Sequence, residues 1–545
     1  MEQTHSRPRL RELAAALVMV AGLSLTPGLG AAGEPKTSME AAPPASCPGP
    51  VQALEGPTLT NAPAAPRLPA APPEADDRPL PINLATALRL AGARPIDITA
   101  AQASVEIAAA ELARARVGWL PTVSLGAGYY HHDGATQGQS GNFYINTKDQ
   151  FMAGGGLLAR FAATDAIFAP LAARQVLRSR EFDVQSARND ALLAVAEAYF
   201  AVQQARGRLA GVQDLVDKAR ELDKKFAALV QEAAKSADVP RARAALAEVQ
   251  QSLVAAREQW RIASADLTLV LRLDPAAVIV PEEPPFLLVT LISPRQRVDD
   301  LIPIGLTNRP ELASQQALVQ AALVRIRQER MRPLIPSLIL QGGPGSVGPG
   351  DLLMGGVFGS GASGAGNPWL GRDDVSVGMY WTLDNLGLGN RALVRQRQAE
   401  QQRVLVDLFR IQDLVAADVA RAHAALTSAA ARSEIAAKGL QEAQLTYTRS
   451  VEEVGKFTKV GDVQVVARRA FEVVDALLAL QRAYDDYFIS VNDYNRAEFR
   501  LYRALGYPAQ VLACERPVGP LLPVDPNRPF PMAPVCPTDP CPCPR

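Results

Sequence analysis

Few residues in this sequence have the chemistry of a catalytic or metal site. There are only four histidines in 545 residues, and His5 lies in what looks like a removable leader. Histidine and thiolate groups supply most zinc ligands and many of the bases and nucleophiles of enzymes. We therefore predict no catalytic, cofactor-binding or metal site. The cysteines lie outside the expected folded body, mostly in a proline-rich tail that we expect to be irregular or cross-linked: Cys47, Cys514, Cys536, Cys541 and Cys543.

Two glycine-rich segments imitate functional motifs without completing them. Gly359–Gly366 resembles a nucleophile loop, but it lacks the Gly-x-Ser-x-Gly order and has no nearby histidine. Gly387-Leu-Gly389 opens a helix as a dinucleotide fingerprint would, yet the helix continues where a second parallel strand should follow. These glycines instead suit a change of direction from strand to helix. An enzyme is therefore the least favoured class of function.

The remaining polar residues of interest lie at two breaks between helical segments. In the first break, which follows Lys235, Asp238 suits a helix cap. In the second, which begins at Gly455, Asp462 has the same capping role. Both breaks are expected to be hairpin turns that project in one direction, away from the strands.

Two almost unbroken helical runs, from about 164 to 231 and from about 390 to 454, precede these breaks. Each would extend on the order of 100 Å, which no single compact core can cover. In the first run Val202, Leu209 and Val216 are seven residues apart, which is coiled-coil spacing. The runs are therefore predicted to pack side by side with other helices.

An internal repeat is the strongest signal in the chain. A constant offset of 215 residues places Arg94-Pro95 on Arg309-Pro310, and Pro121 on Pro336. Both halves then follow the same order of helix, strand pair and very long helix. The sequence therefore predicts a duplicated architecture of long-helix hairpins.

Alternating segments after Pro121 and Pro336 predict four β-strands per chain. Residues 122–130 and 375–383 alternate apolar side chains with small or polar ones. This pattern suits a membrane barrel, and it equally suits a half-buried soluble strand. Four strands cannot close a barrel of useful width, so several copies would have to contribute. Segments 131–149 and 342–372 are expected to be exposed loops.

The N-terminal part shows two changes of composition. Residues 1–33 have the basic, apolar and small-residue order of a secretory signal peptide. Residues 34–79 are rich in proline and alanine and are predicted to be a disordered linker. Cys47 only faintly resembles a lipoprotein site, because it lies far beyond the apolar run. Order is expected to begin near Leu80, with Asn83 capping a helix.

The remaining boundaries follow from the repeat. The chain has 56 basic and 56 acidic residues, so it has no basic excess with which to bind nucleic acid. The expected segments are a first helix-strand-strand-helix repeat at 80–275, an equatorial connection at 276–306, a second repeat at 307–508 and a disordered Pro/Cys-rich tail at 509–545.

Several short motifs, some of them present in both halves, occur in a characteristic order along the chain, and the first is repeated at Ile335-Pro336. They are Trp119-Leu-Pro121 before a strand, Val195–Tyr199 paired with Val419–His423, Val454-Gly455 followed by Asp462-Val463, and Ala504-Leu-Gly506. In these features the sequence resembles the TolC family of outer-membrane efflux proteins, over roughly residues 80–510. The resemblance implies a mainly α chain with membrane β-strands. Three copies would form a helical tunnel, an α-barrel, and share one β-barrel.

The resemblance also implies a function and partners. The protein would be a homotrimer in the outer membrane that extends into the periplasm and acts as a passive exit duct. It would serve tripartite efflux or type I secretion of small molecules or proteins. A periplasmic adaptor, the membrane fusion protein, would dock on its tips and couple it to an inner-membrane pump. The tips correspond to Lys235, Asp238, Gly455 and Gly461.

A gate at the tip of the second hairpin is a further implication of the resemblance. Its acidic ring corresponds to Asp462, and a basic residue after the tip glycine corresponds to Lys456 or Lys459. The second acidic position of the family is Val465 here. A ring of three aspartates at a narrow opening would repel anions and attract cations. A plain helix cap at Asp462 is the alternative.

A competing hypothesis is a secreted coiled-coil scaffold or adhesin without channel activity. In that case the strands would form a small packing domain. Aromatic residues in the strands, such as Tyr129 and Trp381, weakly favour the channel. The transported substrate, the pump and the adaptor leave no signature in the sequence.

Overall fold

The computed structural model describes residues 58–61, 68–93, 96–120, 122–230, 238–343, 356–361, 370–372, 374–454, 456–460, 463–466 and 470–507. The predicted signal peptide and tail lie outside these residues, as do Lys235, Gly455, Gly461 and Asp462. The helices and strands below are numbered within the described part of the chain.

The helices confirm the duplication. In the first half they are α1 (Leu84–Ala93), α2 (Ile96–Arg116), α3 (Ala163–Val230) and α4 (Asp238–Leu271). In the second half they are α5 (Val298–Asn308), α6 (Pro310–Met331), α7 (Leu388–Glu453) and α8 (Ala470–Ala504). The predicted long runs are α3, with 68 residues, and α7, with 66.

The strands are short outside one large sheet. Four short strands lie outside it: β1 (Thr58–Asn61), β2 (Arg78–Ile82), β5 (Ala277–Pro281) and β6 (Leu287–Thr290). The large sheet contains β3 (Thr122–Gln137), β4 (Phe143–Ala162), β7 (Ser337–Gly343), β8 (Gly356–Gly361), β9 (Leu370–Arg372) and β10 (Asp374–Tyr380). A hairpin between α7 and α8 contains β11 (Phe457–Val460) and β12 (Val463–Val466).

The six segments of the large sheet occupy four strand positions side by side, which we call lanes. β3 pairs with one edge of β4 over its full length, from Thr122↔Leu158 to Gln137↔Phe143. The other edge of β4 pairs first with β7 and then with β8, which follow one another in a single lane. β10 and β9 likewise pair with β7 and β8 and form the fourth lane. The sheet therefore has the four expected strands, two of them interrupted.

The expected loops are shorter than predicted. Pairing of β3 with β4 continues through most of 131–149, so only residues 138–142 connect the two strands. Cross-strand contacts such as Thr147 Oγ1 to Asp133 Oδ1, at 2.7 Å, extend the ladder where composition suggested a loop. In segment 342–372, β8 and β9 likewise form strands.

The equatorial elements are ordered together with part of the predicted linker. β1 pairs antiparallel with β6, and β2 pairs parallel with β5. Residues 58–61 and 68–79 therefore differ from the prediction of a disordered linker. Strand pairing satisfies backbone groups of residues 58–61 and 78–79, and Glu74 and Asp77 form ion pairs with Arg257 and Arg261 of α4. Few large apolar residues were needed, which is why composition missed this order.

The core runs along α3 and α8. Tyr199 and Phe200 of α3 and Phe488 and Phe499 of α8 are buried. At Gly207 the two helices approach so closely that a Cβ atom would lie 2.4 Å from the Phe488 ring. Glycine is therefore required at this crossing by space rather than by backbone angle.

Local contacts explain several predicted boundaries. Asn83 caps α1 as expected, since its Oδ1 accepts the Thr86 N–H at 2.8 Å. The buried Arg309, just before α6, donates to the Ala504 carbonyl at 3.0 Å and forms an ion pair with Asp418. Gly506, with a φ of 83°, ends α8 in a turn that excludes a side chain. None of the helices in the described part of the chain is long and apolar enough to cross a membrane.

Candidate functional site

The helices form a layer with two different edges. α3 lies in the interior and packs against α2, α4, α6 and α8, whereas α7 packs against α6 and α8. One edge of the layer is therefore made by α2 and α4, and the other by α7. A chain built this way leaves both edges available to further copies.

Both edges carry exposed apolar side chains. On α4, Leu269 is 76% exposed, which is unusual for leucine in a helix that packs on a core. The exposed apolar residues of the first edge include Ile96, Ile107, Val254, Ile262 and Leu269, and those of the second include Val406, Phe409, Leu414, Ile435 and Leu445.

A polar network fastens the two long hairpins to each other. Arg208 of α3 makes a bidentate ion pair with Asp485 of α8, at 2.8 and 3.1 Å. One turn and a half further along, Asp214 of α3 accepts hydrogen bonds from Tyr484 at 2.9 Å and from Lys218 at 2.5 Å. These partners are about 270 residues apart in sequence, so no local pattern could have joined them.

Gln444 and Tyr447 complete this network from α7. Gln444 of α7 donates to the Tyr484 hydroxyl at 3.3 Å, and Tyr447 donates to the Lys218 carbonyl. Burial, followed by the charge of Asp214, raises the pKa of Tyr484 well above its usual value. Both tyrosines therefore stay neutral donors at any physiological pH, and the network depends on Asp214 rather than on tyrosine ionisation.

The repeated motif at Tyr199 and His423 performs the same task in both halves. The Tyr199 hydroxyl on α3 bonds to the Ile82 carbonyl of β2 and to Glu283. On α7, His423 Nε2 lies 2.8 Å from the Gln296 carbonyl. Each long helix thus holds an equatorial segment through one polar side chain at an equivalent position.

The tip of the second hairpin is a β-hairpin, which the sequence did not lead us to expect. β11 pairs with β12 from Phe457↔Val466 to Val460↔Val463. Valine, threonine and phenylalanine favour extended backbone, so the helix gives way to strands here. β12 occupies Val463–Val466, where the sequence predicted a helix to start after Asp462, and α8 begins at Ala470. Asp462 itself lies outside the described residues.

The predicted site residues are only partly described. Lys456 is exposed and its N–H bonds to the Glu453 carbonyl at 3.2 Å, directly after α7. The backbone of Lys459 lies in β11, opposite Gln464. Asp238 is the first residue of α4. The structure therefore places Lys456 and Lys459 together on one hairpin and Asp238 at the start of α4, while Lys235, Gly455, Gly461 and Asp462 lie outside the described ranges.

The comparison with known families decides the identity. The profile of the outer membrane efflux protein family matches residues 87–271 and 301–506, which is well over half of the chain and includes both repeats. The chain belongs to the outer membrane efflux protein family. No curated protein matches the sequence significantly.

Solved channels share the fold of this efflux protein. The CmeC outer membrane channel of Campylobacter jejuni is 17% identical, with 78% of this chain and 85% of CmeC covered, at a TM-score of 0.58. VceC of Vibrio cholerae is 16% identical, with 78% and 96% covered, at 0.59. The open MtrE channel of Neisseria gonorrhoeae is 18% identical, with 84% and 96% covered, at 0.59.

Membership of the family confirms the TolC-like resemblance, the mainly helical duplicated fold and the function of an exit duct. The efflux protein is located in the outer membrane and extends into the periplasm. Members of the family are trimeric channel proteins that work with adaptor and pump partners. The competing hypothesis of a scaffold or adhesin is thereby set aside.

Proposed function

We propose that this efflux protein acts as a homotrimer whose three sheets close into one barrel and whose helix layers close into one tunnel. The observation that carries the proposal is the open sheet. Among the described residues β3 pairs only with β4, and β10 pairs only with β7, so both outer lanes keep a free edge. In hydrocarbon each unpaired backbone group costs several kcal/mol, so the edges must be paired.

Joining the edges of neighbouring copies satisfies this requirement. Three four-lane sheets give roughly twelve antiparallel strands, within the range of outer-membrane barrels. In the helical part, α7 of one copy would then lie against α2 and α4 of the next. That contact buries the exposed apolar side chains of both edges, including Leu269 and Phe409.

The tips of the two hairpins are proposed as the place where a periplasmic adaptor binds and where the channel narrows. The first tip contains Lys235 and Asp238, and the second contains Gly455, Gly461 and the gate residues below. Three copies would bring three Asp462 side chains to one opening, with Lys456 and Lys459 nearby. The carboxylates would favour cations in that opening.

Reconstitution of the detergent-extracted chain into a planar bilayer tests the duct and the gate together. The expected result is a trimer by light scattering and discrete conductance steps. Asp462→Ala should raise conductance and lower cation preference, because it removes three charges from the constriction. Glu452→Gln, a charge loss on exposed α7 near the tip, is the matched control. A monomer without conductance would overturn the trimeric duct, and an Asp462→Ala channel like the wild type would overturn the gate.

Photo-crosslinking in cells tests the partners. A crosslinker at Lys235 or Lys456 should capture a different protein, the adaptor, because these residues lie at or beside the tips. A crosslinker at Ile262 on the α4 edge should capture a second copy of this chain. Capture of a second copy from the tips, or of none from Ile262, would contradict the proposed arrangement.

A further inference from the structure

A cavity with a basic wall lies where α2, α3 and α6 meet, outside every site described above. Its volume is about 620 Å³, which is the size of sites that hold small organic molecules. It is lined by Leu112 and Arg116 of α2, by Leu171, Arg174, Gln175, Leu177, Arg178 and Glu181 of α3, and by Val324 of α6.

The charges of the wall are not neutralised. Three guanidinium groups, those of Arg116, Arg174 and Arg178, face one carboxylate, that of Glu181. None of the four forms an ion pair within the described part of the chain. Arg180, in contrast, is bound to Asp183 at 3.0 Å and does not line the cavity. The arginines thus keep donors available for an anion, the kind of group that guanidinium binds best.

One arginine is held in place by an aromatic ring. The Cζ atom of Arg178 lies 5.7 Å from the centre of the Phe182 ring. Stacking of this kind fixes the guanidinium plane while leaving its N–H groups free to donate. The basic wall is therefore partly ordered before any ligand arrives.

The wall also contains apolar side chains, of which Leu171 lies nearer to the sheet along α3 than Arg174 and Arg178 do. Leu171 lies nine residues after the end of β4, about 13 Å along the helix axis. Side chains of α3 lean toward its N-terminus, so Arg174 and Arg178 lean toward the strands. Between the cavity and β3, Trp119 and Leu120 are exposed, as expected of an interfacial belt. Along α3, a ligand would thus contact Leu171 on the side of the sheet, and Arg174 and Arg178 on the side away from it.

The cavity opens on the face of α3 that carries the equatorial segments. Leu171 lies four heptads before Tyr199, and Arg178 lies four heptads before Arg206. Tyr199 in turn contacts Ile82 of the N-terminal segment, and Arg206 contacts Ala71 of the same segment. Drift of about 20° per heptad keeps Arg178 within about 60° of Tyr199. In the proposed trimer only the outside of the tunnel has room for those segments, so this step rests on the proposed function.

We infer that this cavity binds an amphipathic anion, an acidic headgroup attached to an apolar body, on the outer face of the tunnel just below the membrane. Such a ligand has two sources, an anionic phospholipid of the inner leaflet and a freely soluble fatty acid in the periplasm. Both place a phosphate or carboxylate on Arg174 and Arg178 and an aliphatic chain on Leu171, toward the sheet.

Calorimetric titration of the full chain in an uncharged detergent tests the inference. The probes are short-chain phosphatidylglycerol, decanoate, short-chain phosphatidylcholine and inorganic phosphate. Phosphatidylglycerol or decanoate should bind at least about tenfold more tightly than phosphatidylcholine and inorganic phosphate, and the tighter of the two identifies the source. Arg174→Gln with Arg178→Gln should weaken binding by about tenfold or more, the loss expected for charge-assisted hydrogen bonds.

The control is Arg180→Gln, on the same helix but outside the cavity, which should leave affinity unchanged. Partial recovery by Arg174→Lys with Arg178→Lys would support the site, since charge returns without the planar donor geometry. Equal affinity of the double glutamine variant, or inorganic phosphate binding as tightly as the amphiphiles, would overturn it. The same variants should have the single-channel conductance of the wild type. A wild-type protein that shows no conductance would contradict the proposed function and not the proposed binding site.

Discussion

The two return helices of the duplicated hairpins, α4 and α8, began as equivalent elements and now have opposite environments. α8 lies against α3, α7 and β6, and its aromatic face, with Tyr484, Tyr487 and Phe488, is buried. α4 lies at the edge of the layer and keeps Val254 and Leu269 exposed. The repeat therefore specifies two hairpins, but the position in the layer decides which return helix packs in the core and which one keeps an apolar face exposed for another copy.

The largest effect is expected from truncating one buried side chain of α8 and one exposed side chain of α4 to alanine. Phe488→Ala should lower the free energy of unfolding by about 3–5 kcal/mol, because it empties a filled core position. Leu269→Ala should leave the fold of a dissociated chain nearly unchanged and weaken trimer assembly instead. Chemical denaturation and light scattering in detergent separate the two effects. If both variants lost the same unfolding free energy, the proposed difference in packing between α8 and α4 would be wrong.

The buried Glu498 of α8 gives the comparison a pH dependence that α4 lacks. Its carboxylate accepts the N–H groups of Leu291 and Ile292 and the Tyr494 hydroxyl. Burial, opposed by these bonds, raises the pKa of Glu498 to about 7. The folded chain therefore holds this proton more tightly than the unfolded chain does.

Stability from Glu498 is fully present below the ordinary carboxyl pKa and is lost as pH rises from about 4.5 to about 7. The loss should be on the order of 1–3 kcal/mol. Glu498→Gln, which keeps the shape, should flatten the slope of unfolding free energy over that range. A slope identical to that of the wild type would show that Glu498 titrates normally.

Close packing of α8 on α3 can be probed with a glycine pair. Gly207→Ala should destabilise by about 1–3 kcal/mol, because its new methyl group meets the Phe488 ring. Gly439→Ala, on the exposed face of α7, has no atom within 4 Å of the new Cβ and should stabilise by up to about 1 kcal/mol. Melting temperatures that move in the same direction would argue that the α3–α8 crossing is looser than described.

The smallest effect is expected at the polar network between the hairpins. Tyr484→Phe removes the hydroxyl group that donates a hydrogen bond to Asp214, and it should lower the free energy of unfolding by about 1 kcal/mol. The same change at the exposed Tyr144 is the control and should be neutral. If the network also restrains the second hairpin, Tyr484→Phe channels should open more often in bilayer recordings. Unchanged opening would limit Asp214 and Tyr484 to stability.

Much of this architecture follows from short-range patterns in the sequence. The heptads around Val202 and Leu209, the alternation after Pro121 and the offset of 215 residues are short-range periodicities, and they fix the type and order of elements. They also carry the resemblance that leads to an efflux channel. Sequence alone therefore determined the two long helices, the four strands and the duplication.

Other features depended on contacts between distant parts of the chain. Strand pairing at 58–61 and 78–82 and the ion pairs of Glu74 and Asp77 order a segment whose composition predicted a linker. β11 and β12 form a β-hairpin where the sequence predicted only a break between two helices. The partners Arg208–Asp485 and Asp214–Tyr484 carry no local signal, because each residue alone looks like an ordinary helical surface residue. Tertiary structure decided these contacts. It also decided that α8 is largely buried whereas α4, which buries Trp260, keeps another face exposed. Burial depends on the neighbour that a helix face contacts, and periodicity shows only that an apolar face exists.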